Sequence, residues 1–459
     1  MTNQTKNWQK IDLQHHMHPF TDHVDLEQVK PQIMVRGEGV YIYDSDGQQL
    51  LDGMAGLWCV NVGYGRNEIG DAVADQMREL PYYNNFFKTS TKPALELAQK
   101  LAELTPEGVD YFFFANSGSE ANDTNIRLVQ TYWTLLGKPE KKLLISRHNA
   151  YHGSTIAGAS LTGMASMHDI PAVPIPGIVH IANPDWYASG GNSDPEQFGL
   201  QTAQALEQKI LELGADKVAA FFAEPIQGAG GVIVPPASYW PEIQRICNKY
   251  DVLLVVDEVI TGFGRTGQWF GSDTFQIKPD LMTLAKGLSS GYLPIAASAV
   301  GERVAKVLRS KEGRFPHGYT YGGHPAAAVA ALKNIEIMQR ENLVEQVGQD
   351  TGSYFQQQLQ TLLDHPWVSY VRGTGLMACV ILSPDKVNRS AFTPLGFMSN
   401  LVRNQCFKNG LVTRAVGDGL VFSPPLIITR AQIDELVVKL RKSIDEVYQG
   451  QSNGQGQIG

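Results

Sequence analysis

The sequence predicts an α/β fold built on a mainly parallel sheet. Three observations carry this prediction. Short apolar runs such as Val252-Leu-Leu-Val-Val lack the alternation of a half-exposed strand, so they suit strands covered on both faces. Each such run ends in a polar or glycine-rich turn. Stretches with helical spacing separate the runs, as at 203–213 and 239–249.

Composition narrows the class. The chain has 459 residues, 43% hydrophobic and 18% charged, which suits a large globular domain plus a smaller one. A net charge of −8 argues against nucleic-acid binding, which needs a basic face. No apolar run approaches the roughly 20 residues that span a bilayer, so no membrane is expected. Residues 1–8 lack the apolar core of a signal peptide. The cysteines Cys59, Cys247, Cys379 and Cys406 are far apart, with no Cys-x-x-Cys pair. This fits a reduced cytoplasmic protein without structural zinc.

The elements follow in chain order. His15-His16-Met17-His18 reads as a surface segment, since nothing nearby supplies a carboxylate or cysteine at ligand spacing; no metal is expected. Val40 to Asp52 reads as a hairpin with Asp46-Gly47 as its turn. Gly53 to Gly65 and Pro81 to Phe87 are aromatic loops, which serve either as satellite core or as pocket walls. Thr91-Lys-Pro93 opens a helix. Val109 to Ala115 is a strand, and Asn116-Ser117-Gly118-Ser119-Glu120 leads at once into a helix to about residue 136. The free amides of such a helix start suit an anion. Ser117-x-x-Glu120 equally matches a capping box, and both readings stand. Further strands end near Ser146, before Tyr151-His152-Gly153, and at Glu224.

Two charged strand ends organise the chemistry. Asp257 ends the run from Val252, and Lys286 ends the run from Leu281. In parallel sheets a ligand sits beyond the carboxyl ends of the strands. A lysine and a carboxylate there are what pyridoxal 5′-phosphate (PLP) chemistry requires: the lysine forms a Schiff base, and the carboxylate keeps the pyridine nitrogen protonated. One motif competes. Gly262-Phe-Gly264-Arg-Thr-Gly267 matches a dinucleotide fingerprint, but no helical apolar stripe follows it, so it reads as a turn.

The C-terminal part has another rhythm. An Ala-rich helix runs from about residue 326 to 340, and a second from about 344 to 363. Strands follow at 368–371, 376–382 and 411–416, with a helix at 396–409 between the last two. A final helix starts at the Thr429-x-x-Gln432 capping box. Together these make a small α+β domain. Residues 449–459 are rich in Gly and Gln and read as a disordered tail.

Taken together, Asn116-Ser-Gly-Ser-Glu-Ala-Asn, Tyr151-His-Gly-Ser-Thr, Ala223-Glu-Pro-Ile-Gln-Gly, Val256-Asp-Glu-Val-Ile-Thr-Gly-Phe-Gly-Arg-Thr-Gly, Ala285-Lys-Gly-Leu and Tyr319-Thr-Tyr-Gly-Gly-His-Pro resemble the class-III aminotransferases, fold-type-I PLP enzymes. The resemblance spans about residues 20–448. Gly56-Leu-Trp-Cys-Val-Asn-Val-Gly-Tyr-Gly-Arg and Ile175-Pro-Gly-Ile-Val-His-Ile-Ala are similar to the ω-amine:pyruvate and putrescine–pyruvate branch. It implies a large domain (61–328) with a mostly parallel seven-stranded sheet. A smaller α+β domain would join residues 1–60 to 329–448.

The resemblance also implies roles. Lys286 would carry the cofactor and shuttle the proton, and Asp257 would pair with its ring nitrogen. Tyr151 and Val259 would cover the two ring faces. Ser117, Gly118 and Ser119 would bind the phosphate, with Glu224 and His152 in support. Thr320, beside Tyr319, would reach the phosphate of a partner subunit, which makes a homodimer the minimal unit and leaves a tetramer open. Arg414 would grip the carboxylate of pyruvate or alanine. Phe20, Leu57, Trp58, Phe86, Tyr151, Ala229 and Tyr319 would shape the amine pocket. Ornithine and γ-aminobutyrate relatives place an arginine where Val421 stands, so Glu224 lacks that pair here. The expected reaction is ping-pong transfer from a primary amine or diamine through the pyridoxamine form to pyruvate. The rivals are another fold-type-I PLP reaction (decarboxylation or racemisation) and a catalytically idle binding protein.

Overall fold

The protein is described from a computed structural model covering residues 2–310 and 315–452. Seven strands form the central sheet. Their spatial order is Val109–Ala115, Ala296–Gly301, Leu281–Leu284, Leu253–Asp257, Val218–Ala223, Leu143–Arg147 and Ile178–Ile181. Ala296–Gly301 runs antiparallel to both neighbours; the other neighbouring pairs are parallel. The inner strands Val218–Ala223 and Leu253–Asp257 are buried at every position, which is why their sequences do not alternate.

Alternate side chains of one strand feed different layers. Phe222, Leu253 and Val255 pack with Val129 and Trp133 of the helix Gly118–Leu135. Phe221, Leu254 and Val256 pack with Leu206 and Ile210 of Pro195–Leu213 and with Trp240 and Ile243 of Tyr239–Lys249. Helices thus seal the sheet, and the strand ends remain for chemistry.

Two four-stranded sheets lie outside it. One joins Met34–Glu38, Tyr41–Asp44 and Gln49–Asp52 to the distant Leu411–Val412, which pairs parallel with Gln49–Asp52. The other orders Val368–Thr374, Met377–Leu382, Gly419–Phe422 and Arg414–Val416, all antiparallel. The single strand expected at 411–416 is therefore two strands in different sheets. The break falls at Thr413, whose hydroxyl donates to the Val421 carbonyl at 2.8 Å.

Three more expectations change. The helix expected over 344–363 is Leu343–Gln346, a π turn over Val347–Thr351, then Gly352–Gln360 and a 3₁₀ turn, Thr361–Asp364. The π turn falls where the backbones of Gly348 and Gly267 meet: a Cβ on Gly348 would lie 2.7 Å from the Gly267 carbonyl oxygen. The final helix extends over Arg430–Ser452, so the first residues of the expected tail are helical; residues 453–459 lie outside the described residues. At the N-terminus, Asn3–His15 and His23–Val29 are helices, and Asp12 stands one turn before His16. A carboxylate does accompany the histidine run.

Candidate active site

The strand ends open onto a cavity of about 400 Å³. Asp257 and Lys286 both line it, as the sequence motifs require. Asp257 is the last residue of Leu253–Asp257 and is 4% exposed. Its Oδ2 accepts from Asn122 Nδ2 at 2.8 Å and lies 2.8 Å from His152 Nδ1. Its Oδ1 accepts the Val259 amide at 3.1 Å. Asn122 is fixed in turn: it donates to the His152 carbonyl and accepts the Thr283 hydroxyl at 2.7 Å. Asn125 donates to Thr283 Oγ1 at 2.8 Å. A buried polar chain from the helix Gly118–Leu135 thus sets the plane of one carboxylate, and such chains rigidify when every link is made.

Lys286 follows the strand Leu281–Leu284 with φ +45°, a left-handed conformation that costs a non-glycine residue on the order of 1 kcal/mol. The strain turns its side chain into the cavity lining. Desolvation by the surrounding protein lowers its amine pKa, outweighing the attraction of Cys59 and Asp257. Its amine makes no hydrogen bond among the described residues, which leaves it free to meet a ligand in the cavity.

Glu224 ends the neighbouring strand's turn, 3% exposed. Its carboxylate accepts the amides of Tyr151 at 3.1 Å and Gly228 at 2.9 Å. Burial pushes its pKa up. It forms no ion pair among the described residues, and Val421 sits buried in the strand Gly419–Phe422.

The helix cap leaves the helix start open. Ser117 caps Gly118–Leu135, its hydroxyl accepting the Glu120 amide at 3.2 Å. Glu120 reaches back to the Asn116 amide at 2.7 Å, one residue before the cap. The Gly118 and Ser119 amides keep no hydrogen-bond partner among the described residues, and both residues line the cavity. Two glycines are needed here. A Cβ on Gly118 would meet Val259 at 2.9 Å, and Gly153, at φ +133°, would drive one into Ser119 at 2.5 Å. Tyr151 and Val259 both line the cavity, Tyr151 with its hydroxyl 3.0 Å from Ser154 Oγ.

Other expected residues lie off this lining. Phe20 is 75% exposed and Leu57 55%. Trp58 and Ala229 are buried. Phe86 packs against Gly318, Tyr319 donates its hydroxyl to the Glu120 carbonyl at 2.9 Å, and exposed Thr320 accepts from Tyr82 through its carbonyl. Arg414 is half-buried, with its charge felt at Lys286 and the Tyr151 ring nearby; burial lowers its pKa. It has no hydrogen-bond or ion-pair partner among the described residues.

Sequence reasoning missed Asn122, Asn125 and Thr283, although buried amides three residues apart on one helix are a readable signal. It also missed Cys59, Ile260 and the segment Leu293–Ile295 in the lining. Asp52 was missed too. Its carboxylate accepts the amides of Met54 at 2.9 Å and Gly56 at 2.6 Å, and the Tyr64 hydroxyl at 2.6 Å. That clamp holds a loop in which Ala55 and Trp58 have φ of +46° and +64°. The competing glycine motif packs into the interior: Arg265 within it is buried and donates to the Leu376 carbonyl and to Asn61 Oδ1.

A lysine, a tethered carboxylate and an open helix start around one cavity match a known arrangement, and the family model Aminotransferase class-III covers residues 24–444. The chain belongs to the class-III aminotransferases. It is 52% identical over 442 residues to the putrescine–pyruvate aminotransferase of Pseudomonas aeruginosa, covering 96% of both proteins. It is 42% identical to γ-aminobutyrate transaminase 1 of Solanum lycopersicum, over 93% of this chain and 84% of that one. Among solved structures, an omega-transaminase of Pseudomonas jessenii in complex with PMP superposes with a TM-score of 0.94 at 42% identity, covering 98% of this aminotransferase and 99% of that chain. An (S)-enantioselective omega-transaminase of Thermomicrobium roseum gives a TM-score of 0.94 at 40% identity, over 97% and 99%. The aminotransferase therefore has the fold-type-I architecture, with its mixed seven-stranded sheet and smaller sheets.

Proposed function

We propose that this aminotransferase is a PLP-dependent ω-transaminase that moves an amino group from a primary amine or diamine to pyruvate. The residues present fit the cofactor. Lys286 offers an amine of lowered pKa, Asp257 a fixed carboxylate, and Gly118 and Ser119 unpartnered amides where no Cβ blocks Val259. Bound PLP supplies an aldehyde for amines and a pyridine ring that draws electrons.

The chain's own groups do the rest. Lys286 takes a proton from the amine-bearing carbon and returns it on the other side of the exchange. Asp257, oriented by Asn122 and His152, would hold a proton at the pyridine nitrogen. The helix start carrying Ser117, Gly118 and Ser119 holds the phosphate. Tyr151 and Val259, which both line the cavity, would flank the ring, and Glu224 fixes the Tyr151 turn.

Arg414 carries the amine:pyruvate reading. An unpaired, half-buried guanidinium beside the cavity suits a keto-acid carboxylate, which it can meet with two parallel hydrogen bonds. An amine without a carboxylate has no use for it. The relative's name points to putrescine as donor. A homodimer would place Tyr319, Thr320 and Phe86 at the partner's site, which accounts for their absence from the cavity of their own chain. Among the described residues no helix is long and apolar enough to cross a membrane; the cytoplasm is the proposed compartment.

A visible spectrum of the purified enzyme tests this. The yellow band is expected to bleach with putrescine and return with pyruvate, alanine forming in step. Lys286→Ala is expected to lose at least about 10³-fold of the exchange rate. A band that ignores amines, or exchange that survives loss of Lys286, would sink the reading.

A further inference from the structure

The helix Asn3–His15 ends in a cluster that transamination does not use. Asp12 lies on its last turn, His16 at its C-cap and His18 two residues beyond. Asp12 Oδ1 is 2.9 Å from His16 Nδ1, and Oδ2 is 2.7 Å from His18 Nε2. The two imidazole centroids are 4.5 Å apart. One donor atom from each residue falls within 4.8 Å of the others.

Local sequence produces this convergence. Asp12 and His16 are four residues apart, so they share a helix face. The chain leaves the helix at His16 in an extended conformation, φ −120° and ψ 115°. His18 precedes Pro19, which restricts its backbone and holds it beside the helix end. The side chains of Asp12 and His18 are 15% and 25% accessible, while His16 is 64% accessible. The cluster is walled on one side and open to water on the other.

We propose that Asp12, His16 and His18 bind one divalent transition-metal ion. Two neutral imidazoles and a carboxylate are the donors that zinc, nickel, cobalt and copper prefer, whereas magnesium and calcium want oxygen alone. Neighbouring ligands on such an ion, each about 2.1 Å from it, sit roughly 3 Å apart. The two carboxylate–imidazole separations already have that length. Three protein ligands leave the remaining positions to water on the accessible side. The ion would tie the helix end to the segment that carries Phe20. Nothing in this site depends on the transaminase reading, because none of the three residues lines the cavity.

The test uses untagged holoenzyme, stripped with a chelator and titrated with zinc chloride by calorimetry. One zinc per chain is expected. Asp12→Asn, His16→Ala and His18→Ala should each weaken binding at least about tenfold. His15→Gln, which removes the neighbouring imidazole outside the cluster, should leave it unchanged. Cobalt loading adds a second readout, a visible ligand-field band at longer wavelength than PLP that is lost in the three variants. Circular dichroism and unchanged transaminase turnover show that each variant is folded. Absence of saturable binding in the parent enzyme, or equal binding in all four variants, would overturn the site.

Discussion

Asp257 and Trp58 are both buried, yet they are held in opposite ways. Asp257 is anchored by a chain of side-chain hydrogen bonds that crosses from a helix to two strands of one sheet. Trp58 sits in a loop with strained backbone, its indole nitrogen without a partner among the described residues, and the loop is held by the Asp52 carboxylate and by Ser423, which donates to the Gly53 and Met54 carbonyls. Leu57 beside it in the chain is exposed, as are Phe20 and Thr320. The base of the cavity, around Asp257, is thus held by side-chain hydrogen bonds within the chain, whereas the residues proposed as its aromatic rim are carried on loops. If those loops form the proposed amine pocket, the chemistry stays fixed while the pocket varies with the loops.

Substitutions can break or sharpen that contrast. Asp257→Asn strikes the base. It should cut turnover by about 10²- to 10³-fold while leaving the fold intact, since asparagine keeps the shape but loses the charge at the ring nitrogen. Steady-state rates with both substrates check this, and a near-native rate would remove the proposed pairing. Arg414→Ala strikes between base and rim. The KM for pyruvate should rise about 10- to 100-fold, a loss of ~1.5–3 kcal/mol for charge-assisted hydrogen bonds, while bleaching by amine stays within about threefold. Equal damage to both half-reactions would make Arg414 structural.

Asp52→Asn strikes the rim alone. The carboxylate now serves two amides and the Tyr64 phenol, whose pKa burial pushes up. An amide cannot serve all three, so the loop loosens by roughly 1–2 kcal/mol. The KM for bulky amines should rise about 3- to 10-fold, with the pyruvate half-reaction unchanged. A matching loss in pyruvate turnover would show that base and rim are coupled.

The smallest effect belongs to His180, on the edge strand of the base. Burial pushes its imidazole down from 6.5 to about 4. The unfolded chain binds that proton near pH 6.5 and the folded chain only near 4. Stability is therefore lost as pH falls from about 6.5 towards 4, and nothing changes above that window. Partial exposure keeps the loss below about 2 kcal/mol. Urea denaturation at pH 7.5 and 5 reads it, and His180→Asn should flatten the difference if the base keeps its protonation state to its edge.

How much was legible varies by residue. Ser117, Asp257 and Lys286 could be read because each ends an apolar run, and a parallel sheet collects such ends on one side. Asn122 was harder, because its partner Asp257 is 135 positions away. The split at Thr413 was illegible for the same reason: Leu411 and Arg414 look continuous, but their strand partners are Leu51 and Val421. Asp12 was overlooked although the helix period alone puts it beside His16.

By itself the sequence determined the alternation of strands and helices, the charged strand ends and the glycines that make room at the helix start. These depend on period, on side-chain chemistry and on backbone sterics, which act within a few residues. Tertiary structure alone decided which strand neighbours which, that Asn122 and His152 share one carboxylate oxygen, and that Arg414 stays unpaired among the described residues. Those depend on contacts between residues far apart in the chain, which packing creates and no local pattern encodes.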